Sequence, residues 1–252
     1  MNVTGKVAIV SGAAQGLGQA FAERLAAEGC KVLAFDINPA VQALDGVEAM
    51  VADVSQRADV ERVVATAAEL GTIGVLVNNA GAWKQTPVDS TWEQALADWD
   101  EIMDTNLKGV LMLSRASVPH MQAGGGGTII NLSSYYVLPA KSDGTNPPDT
   151  DLYNASKWAL NGFTDAWAKY LAKDNITVNG LAMGAVDTPM LRGLFPDGEL
   201  PAVLGDVMSA SAIAQQMMDL IASDRTGENV GAWVGEPVTI GEQPPLHKRI
   251  TG

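Results

Sequence analysis

Val7-Ala-Ile-Val-Ser-Gly-Ala-Ala-Gln-Gly-Leu-Gly18 is the stretch that decides the fold of this chain. Its apolar start predicts a short buried strand, and Leu17, Phe21 and Leu25 recur on one face of the helix that follows. A strand that turns directly into an amphipathic helix is the first step of a βαβ unit. Repeated units of this kind build a parallel sheet that is covered by helices on both faces.

Three glycines, Gly12, Gly16 and Gly18, lie between this strand and this helix. Glycine permits a tight turn and a close approach of the backbone to a pyrophosphate, whose negative charge the helix N-terminus favours. A plain turn is the alternative for any glycine-rich stretch, but a preceding strand and a following helix are the context of a dinucleotide site. The candidate cofactor residues in this turn are Gly12, Gln15, Gly16, Leu17 and Gly18.

The rest of the chain repeats the alternation of apolar runs and helical stretches. Further strands are predicted at 32–35, 49–51, 75–77, 128–132, 176–178 and 230–238, and the main helices at about 99–120 and 153–173. Proline and glycine predict a loop at 138–151, and 184–208 is a second irregular stretch; both are candidate substrate loops. We therefore predict an α/β fold with one domain over residues 1–252. It is a Rossmann-type, doubly wound parallel sheet of about seven strands with helices on both faces.

Tyr153-Asn-Ala-Ser-Lys157 places a phenol and an amine four positions apart, on one face of a helix. The ammonium can lower the pKa of the phenol, about 10 when unperturbed, toward the range that suits acid–base catalysis. Ser134 lies upstream and supplies a hydroxyl. Together with the dinucleotide turn, these groups indicate hydride transfer between a nicotinamide cofactor and an alcohol or ketone. The alternative for Tyr153 is an ordinary tyrosine on the surface of an amphipathic helix.

Asp36 ends the second predicted strand, 18 positions after Gly18. A carboxylate there can accept hydrogen bonds from the adenosine ribose hydroxyls, and it would repel a 2′-phosphate. Neither Ile37 nor Asn38 supplies a positive charge for such a phosphate. A turn aspartate at a strand end is the alternative. We predict that Asp36 binds the ribose and that the cofactor is NAD rather than NADP.

These motifs occur in an order that resembles the short-chain dehydrogenase/reductase family, in its compact, NAD(H)-preferring branch. The resemblance covers nearly the whole chain. It implies a Tyr-dependent alcohol dehydrogenase or ketone reductase that works as a homodimer or homotetramer. The further motifs that carry the resemblance are Asp53-Val54, Asn78-Asn-Ala-Gly81, Asn106, Asn131-Leu-Ser-Ser134 and Val178-Asn179.

The resemblance implies a role for each matching residue. Tyr153 is the implied acid–base residue, Lys157 binds the nicotinamide ribose and lowers the tyrosine pKa, and Ser134 holds the substrate oxygen. Asn106 would hold a water in a proton relay, with bridging of backbone groups as the alternative, and Ser133 is the alternative to Ser134. The implied catalytic set is Asn106, Ser134, Tyr153 and Lys157. The other implied cofactor contacts are Asp53, Val54, Asn79, Ala80, Gly81, Gly184, Val186 and Thr188.

Three features depart from the usual pattern of the family. Ala182-Met-Gly184 stands where a Pro-Gly pair usually follows the sixth strand, which places Met183 near the nicotinamide or the substrate. Ser134 and Tyr153 are 19 positions apart, more than is usual, and the added residues of 138–151 are expected to shape the pocket. Pro237-Val-Thr-Ile-Gly-Glu242 replaces the usual C-terminal Val-Asp-Gly-Gly, so the usual subunit contacts of that end are not implied.

Apolar and aromatic residues next to the motifs predict a hydrophobic pocket, with core packing as their alternative. The expected substrate is a secondary alcohol or ketone that is hydrophobic, cyclic or aromatic. Lys141 and Arg192 are the nearby cations to consider for a substrate carboxylate. The alternatives are a 3-oxoacyl-thioester reductase and a non-catalytic NAD-sensing protein. The candidate wall residues are Trp83, Tyr135, Tyr136, Met183, Met190, Leu191, Leu194 and Phe195.

The composition excludes several other classes of protein. The chain has 252 residues, 47% of them hydrophobic, and a net charge of −13, which argues against nucleic acid and anionic membranes as partners. One cysteine, Cys30, cannot form an intramolecular disulfide and fits a reducing compartment. Because no signal peptide is recognised and no apolar stretch approaches the roughly 20 residues of a membrane span, we predict a cytoplasmic protein. No metal is expected.

Overall fold

The computed structural model of the protein describes residues 1–137, 147–202, 207–223 and 225–232. The strands are β1 (Val7–Ser11), β2 (Lys31–Asp36), β3 (Glu48–Val51), β4 (Ile73–Asn78), β5 (Gly127–Ser134), β6 (Ile176–Met183), β7 (Val186–Asp187), β8 (Met208–Ser209) and β9 (Asn229–Ala232). The α-helices are α1 (Gly16–Ala27), α2 (Arg57–Leu70), α3 (Trp92–Met103), α4 (Val110–Ala123), α5 (Asp151–Leu171), α6 (Pro189–Arg192) and α7 (Ala210–Ala222). A π-helical segment, Asp104–Gly109, joins α3 to α4.

Seven strands form one parallel sheet in the order β3-β2-β1-β4-β5-β6-β9. The chain builds outward from β1 to β3 and then returns to the other side of β1 with β4. The connections therefore diverge at the carboxyl ends of β1 and β4, where a doubly wound sheet leaves a crevice. This arrangement confirms the predicted single-domain, Rossmann-type fold.

The sheet is buried on both faces, which explains the uninterrupted apolar runs of its strands. Val10 belongs to the core that includes residues of α1 and α7, and its neighbour Ile9 belongs to the core that includes residues of α2, α4 and α5. Phe21 of α1 and Leu113 of α4 are fully buried on the two sides. Helices therefore cover both faces, as the sequence predicted.

Some predicted boundaries need correction. The helical region predicted from about residue 99 begins at Trp92, because Thr91 caps α3 by accepting a hydrogen bond from the Gln94 amide at 3.2 Å. Thr91-Trp-Glu-Gln94 is a capping-box pattern that the sequence analysis overlooked. The stretch predicted as irregular contains α6 and β8, and β9 is described over Asn229–Ala232. Residues 138–146 of the first predicted loop and 233–238 of the last predicted strand lie outside the described residues.

The helix with Tyr153 and Lys157, α5, has 21 residues and is amphipathic. Its buried face includes Lys157 and Leu160, and Tyr170 is 66% exposed on the other side. Within the described ranges, no helix has both the length and the apolar character needed to cross a bilayer.

A buried polar network fixes β4 to β5 and to the helices beside them. The Asn78 amide donates to Asn131 Oδ1 at 2.8 Å and to Ser114 Oγ at 3.0 Å. The Asn131 amide in turn donates to Thr164 Oγ1 at 3.0 Å. All four side chains are buried, and buried polar groups are stable in a core only when they are paired. Asn131 therefore links two strands and α5 immediately before the strand end that carries Ser134.

Replacement of Asn131 by leucine is expected to lower the free energy of unfolding by about 2 kcal/mol or more, because the buried Asn78 amide loses this acceptor. Chemical denaturation followed by circular dichroism measures the loss. Ile129→Val on the same strand is the control, since Ile129 is fully buried and the lost methylene costs about 1 kcal/mol. A loss for Asn131→Leu no larger than that of the control would contradict the role of the network.

Candidate active site

A cleft of about 750 Å³ opens at the carboxyl ends of the strands, where β1 and β4 diverge. Its lining combines the glycine-rich turn with the ends of β2, β4, β5 and β6 and with part of α5. The fold brings together every residue for which a cofactor contact was predicted, although their cofactor roles stay predictions. These lining residues are Gly12, Gln15, Gly16, Leu17, Gly18, Asp36, Asp53, Val54, Asn79, Ala80, Gly81, Tyr153, Lys157, Gly184, Val186 and Thr188.

The glycine-rich turn is packed too closely for larger residues. A Cβ on Gly18 would lie 2.0 Å from the Gly12 carbonyl oxygen, and a Cβ on Gly12 would lie 2.7 Å from Ala80 Cα. Gly16, the first residue of α1, has a φ of +60°, which other residues rarely adopt. The turn can therefore pass from β1 into α1 in this compact form only because these positions lack side chains.

Asn79 and Ser11 hold that turn against the end of β4. The Asn79 amide donates to the carbonyl oxygens of Ser11 and Gly12, both at 2.9 Å. The Ser11 hydroxyl accepts hydrogen bonds from the backbone N–H groups of Asn79 and Ala80, both at 3.0 Å. These reciprocal bonds fix the floor of the cleft.

The N-terminus of α1 is suited to a phosphate group. Gln15, the residue before the helix, makes no side-chain capping bond, and the first turn contains no acidic residue. The helix therefore presents backbone donors and the positive end of its dipole at a point where Gln15, Gly16 and Leu17 line the cleft. Together with the glycine cradle, this arrangement fits the pyrophosphate of a dinucleotide.

Asp36 is held in the cleft lining by two backbone donors. Its Oδ2 accepts from the Ala14 N–H at 3.0 Å, and its Oδ1 accepts from the Asn38 N–H at 2.9 Å. The bond to Asn38 has the form of the turn that was the alternative explanation. A carboxylate oxygen can accept more than one hydrogen bond, so this contact leaves Asp36 able to bind a ligand hydroxyl.

Ser134, at the end of β5, meets Tyr153, which lies in the first turn of α5. Ser134 is close enough to lower the pKa of Tyr153 by hydrogen bonding, and Ser134 Oγ accepts from the Tyr136 N–H at 3.3 Å. The Oγ of Ser133 is buried and makes no hydrogen bond with any described residue. Of the two serines, Ser134 is therefore the one that pairs with Tyr153.

Lys157 lies one helical turn beyond Tyr153 and is 5% exposed. Its Nζ donates to the Leu132 carbonyl oxygen at 2.8 Å and lies 5.6 Å from the centroid of the Tyr153 ring. Burial lowers the pKa of Lys157 to about 8, because the ammonium loses its hydration. The amine is thus fixed beside the phenol, as the spacing of the motif predicted.

The surroundings of Tyr153 act on its pKa chiefly through burial. Burial raises the pKa of Tyr153 to about 12, and the hydrogen bond with Ser134 offsets only part of this rise. The side chains of the protein alone therefore keep the phenol protonated near neutral pH, because desolvation is the largest influence on its pKa. A lowering of this pKa by Lys157 stays a prediction.

Asn106 lies behind the cleft rather than in its lining. The residue is fully buried, and its Oδ1 accepts from the Ala82 N–H at 2.7 Å. Its amide donates to the Ala82 carbonyl oxygen at 2.9 Å and to Ser156 Oγ at 3.1 Å. These contacts favour the alternative in which the side chain bridges backbone groups. A role for Asn106 in holding a water stays a prediction.

The outer part of the cleft is apolar. Lys157 is the only cation among the described lining residues. Arg192, considered above as a partner for a carboxylate, is bound to both carboxylate oxygens of Asp187 at 2.6 and 2.9 Å, and Lys141 lies outside the described residues. The predicted wall residues that line the cleft are Trp83, Tyr135, Tyr136, Met183, Met190, Leu191, Leu194 and Phe195.

The cleft also contains residues that the sequence analysis did not select. All except Pro147 are direct neighbours of predicted site residues. Thr105, which precedes Asn106, lies in the π-helical segment, where a wider turn interrupts the helical periodicity. The additional lining residues are Phe35, Ala52, Thr105, Leu132, Pro147, Ala185 and Pro189.

Known proteins resemble the chain over almost its full length. A family model described as "short chain dehydrogenase" matches residues 6–199. A 3-oxoacyl-[acyl-carrier-protein] reductase of Thermotoga maritima is 34% identical over 249 residues, which cover 93% of this chain and 97% of that protein. A 3-alpha-(or 20-beta)-hydroxysteroid dehydrogenase of Mycobacterium bovis is 35% identical over 235 residues, which cover 90% of this chain and 86% of that protein. The crystal structure of a 3-ketoacyl-(acyl-carrier-protein) reductase from Brucella melitensis, complexed with NADH, has a TM-score of 0.77 and 29% identity over 92% of this chain and 97% of that chain.

Replacement of Lys157 by methionine is expected to stabilise the protein at pH 7, and the gain should shrink as the pH rises. The folded-state pKa of about 8 lies below the ordinary lysine pKa of 10.5. Between these two pH values the unfolded chain binds more protons, so the free energy of unfolding of the wild-type protein rises with pH. The variant has no amine at this position and does not show this rise. The amount by which its free energy of unfolding exceeds that of the wild type should therefore fall by about 2 kcal/mol between pH 7 and about 9.5.

Denaturant titrations of both proteins at the two pH values measure this difference. Lys169→Met, at a mostly exposed position on the same helix, is the control and should show little change with pH. If the difference in free energy of unfolding between Lys157→Met and the wild type stays constant or grows with pH, burial does not lower the pKa of Lys157.

Proposed function

The chain belongs to the short-chain dehydrogenase family, and on that premise we propose that it transfers a hydride between NAD(H) and a secondary alcohol or ketone. The observation that carries the proposal is the contact between Ser134 and Tyr153 in the same cleft as the glycine-rich turn. A phenol, a hydroxyl and a buried amine are the groups that proton transfer to or from a substrate oxygen requires.

The proposed role of each residue follows from these contacts. The cofactor, when bound, accepts or returns the hydride. Tyr153 exchanges a proton with the substrate oxygen, and the hydroxyl of Ser134 donates a hydrogen bond to that oxygen as its negative charge develops. Lys157 stays fixed by the Leu132 carbonyl and places positive charge close to the tyrosine.

Alcohol oxidation requires the phenolate form of Tyr153. A shift of its pKa from about 12 to about 7 corresponds to roughly 7 kcal/mol of differential stabilisation. The charge of Lys157 and the positive charge of the oxidised nicotinamide are the available sources. Reduction of a ketone needs the protonated phenol, which the burial of Tyr153 already favours.

NAD is the proposed cofactor rather than NADP. Asp36 supports this choice because its carboxylate is fixed in the cleft by Ala14 and Asn38, and a second negative group at that place would be repelled. The NADH complex of the Brucella melitensis protein agrees with a nicotinamide dinucleotide in this fold.

A hydrophobic ring is the proposed substrate class. The apolar wall and the pairing of Arg192 with Asp187 support an uncharged substrate, and a relative is named as a hydroxysteroid dehydrogenase. Reduction of a 3-oxoacyl thioester is the second candidate, because other relatives are named as 3-oxoacyl reductases. Either substrate would place its carbonyl oxygen between Ser134 and Tyr153.

A homodimer or homotetramer in the cytoplasm is the proposed working form. Trp92, Leu96 and Trp99 are 81%, 62% and 51% exposed along one stretch of α3, and such large exposed apolar side chains are typical of an interface. The single cysteine, Cys30, is a free buried thiol whose pKa burial raises to about 11, which fits a protein that needs no oxidising compartment.

Replacement of Tyr153 by phenylalanine is expected to lower kcat at least about 100-fold, because the acid–base group is lost. NADH binding, measured by fluorescence titration, should stay close to the wild-type value. The assay follows NADH absorbance with NAD⁺ and cyclic or aromatic secondary alcohols, and with NADH and a ketone or a 3-oxoacyl thioester. Tyr170→Phe, at an exposed position on the same helix, is the control.

Substantial residual turnover by Tyr153→Phe would overturn the assignment of that residue. Turnover of the thioester alone would favour the second candidate substrate. NADH binding without turnover of any compound would favour a protein that senses NAD without catalysis.

Replacement of Asp36 by asparagine is expected to raise kcat/KM with NADP⁺ relative to NAD⁺ at least about tenfold, since a like-charge contact costs several kcal/mol. Asparagine keeps the size of the side chain and an oxygen acceptor for Ala14. Asp45→Asn, at an exposed position, is the control for a change in net charge alone. An unchanged ratio would show that Asp36 does not select the cofactor.

A further inference from the structure

Two segments beside the apolar end of the cleft are joined by hydrogen bonds centred on Thr86. The Thr86 N–H donates to the Asp149 carbonyl oxygen at 2.6 Å, and Thr86 and Thr150 form a parallel β-bridge. The hydroxyl of Thr86 donates to Asp151 Oδ1, also at 2.6 Å. The side chain of Gln85 adds a bond to Asp149 Oδ2 at 2.8 Å. We call this set of contacts the Thr86 bridge.

The Thr86 bridge reaches the first turn of α5, the helix that carries Tyr153. Thr150, the N-cap residue of α5, makes no side-chain capping bond to the helix. The Leu152 N–H instead lies 2.7 Å from Asp151 Oδ1 and 3.4 Å from Thr86 Oγ1. A residue far away in the sequence thus takes part in capping the helix, which needs acceptors for its first N–H groups.

Both sides of the Thr86 bridge continue into the lining of the cleft. Trp83 lies three positions before Thr86, and Pro147 lies three positions before Thr150; both line the cleft. The hydroxyl of Thr150 donates to the Pro147 carbonyl oxygen at 2.9 Å, so the segment that ends in Pro147 is tied to the bridge. Thr86 and Thr150 are 4% and 0% exposed, so these two residues at the centre of the bridge are shielded from water, whereas the Asp151 carboxylate is exposed.

The segment with Trp83 has a second anchor on the opposite side. Lys84 Nζ lies 2.6 Å from Asp98 Oδ1 of α3, and Asp98 is 1% exposed. This ion pair holds the segment to α3, whereas Thr86 holds it to α5. The wall is therefore fixed with respect to Tyr153 through Thr86.

We propose that Thr86 is a positioning residue that fixes the cleft wall formed by Trp83 and Pro147 relative to the helix of Tyr153, and thereby determines the affinity for ring-shaped substrates. The proposal rests on the proposed function, because it assumes that the ring of a secondary alcohol lies against this wall. If the wall is already ordered, little conformational entropy is lost when the substrate binds, and the affinity is higher. A small alcohol that does not reach the wall should not depend on Thr86.

The test compares Thr86→Val, which removes the hydroxyl and keeps the shape, with Thr86→Ser, which keeps the hydroxyl. Thr128→Val is the matched control, since Thr128 is also buried and its hydroxyl accepts a bond from Thr177 at 2.9 Å, at the opposite end of the sheet. Cyclohexanol and 2-propanol are the substrates, with NAD⁺ as the oxidant. NADH affinity is measured by fluorescence titration, and amide hydrogen exchange is followed in the peptides around Trp83 and Pro147.

For Thr86→Val we expect the KM for cyclohexanol to rise about tenfold, as for a loss of about 1.4 kcal/mol, with kcat changed much less. The KM for 2-propanol and the affinity for NADH should stay near the wild-type values, and exchange should become faster around Trp83 and Pro147. Thr86→Ser should restore the cyclohexanol KM, and Thr128→Val should leave it unchanged.

Several results would overturn the proposal. They are an unchanged cyclohexanol KM, an equal change for both alcohols, a parallel loss of NADH affinity, or an effect of Thr128→Val as large as that of Thr86→Val. If the wild-type protein oxidises neither alcohol, the proposed substrate class is wrong. The positioning role of Thr86 is then tested by hydrogen exchange alone. Faster exchange confined to Thr86→Val then supports the positioning role, and unchanged exchange overturns it.

Discussion

The close approach of the glycine-rich turn to the end of β4 is the constraint on which the cleft depends. Asn79 binds the carbonyl oxygens of Ser11 and Gly12, and a Cβ on Gly12 would lie 2.7 Å from Ala80 Cα. Because the two connections diverge at this point, their contact forms the floor of the crevice while the helices that follow form its sides. This contact fixes the turn from which α1 starts, and Ala14 of the same turn donates a hydrogen bond to Asp36.

The other half of the site depends on the burial of polar groups. Lys157 and Ser134 are nearly inaccessible to water, and burial moves the pKa values of Lys157 and Tyr153 in opposite directions, to about 8 and about 12. Both shifts favour the uncharged forms, so the folded protein alone holds a neutral phenol and a readily deprotonated amine. The network around Asn131 keeps the strand beneath these groups in register. A site of this kind trades local stability for reactivity, since desolvated charges destabilise the fold that holds them.

The apolar end of the cleft is built from segments that the sheet does not fix directly. Arg192 is bound to Asp187 and to the Gly198 carbonyl oxygen, which holds the segment after β7 together. Lys84 and Thr86 hold the segment after β4 between α3 and α5. Side-chain bonds therefore help to shape the apolar end of the cleft, whereas close backbone packing shapes the end with the glycine-rich turn.

The sequence by itself determined the doubly wound sheet, the glycine-rich turn and the pairing of Tyr153 with Lys157, because these depend on local periodicity, on residues that permit unusual backbone angles, and on fixed helical spacing. It missed the capping box at Thr91, and it did not show that the side chain of Asn106 bridges Ala82 and Ser156.

Only the tertiary structure decided which serine meets Tyr153, that burial raises the pKa of Tyr153, and that Thr86 contacts the start of α5. These three outcomes depend on which groups the fold brings together and on how much water it removes from them. The spacing of residues along the chain gives neither the contacts between distant segments nor the loss of water around a group, because both arise only when the chain packs.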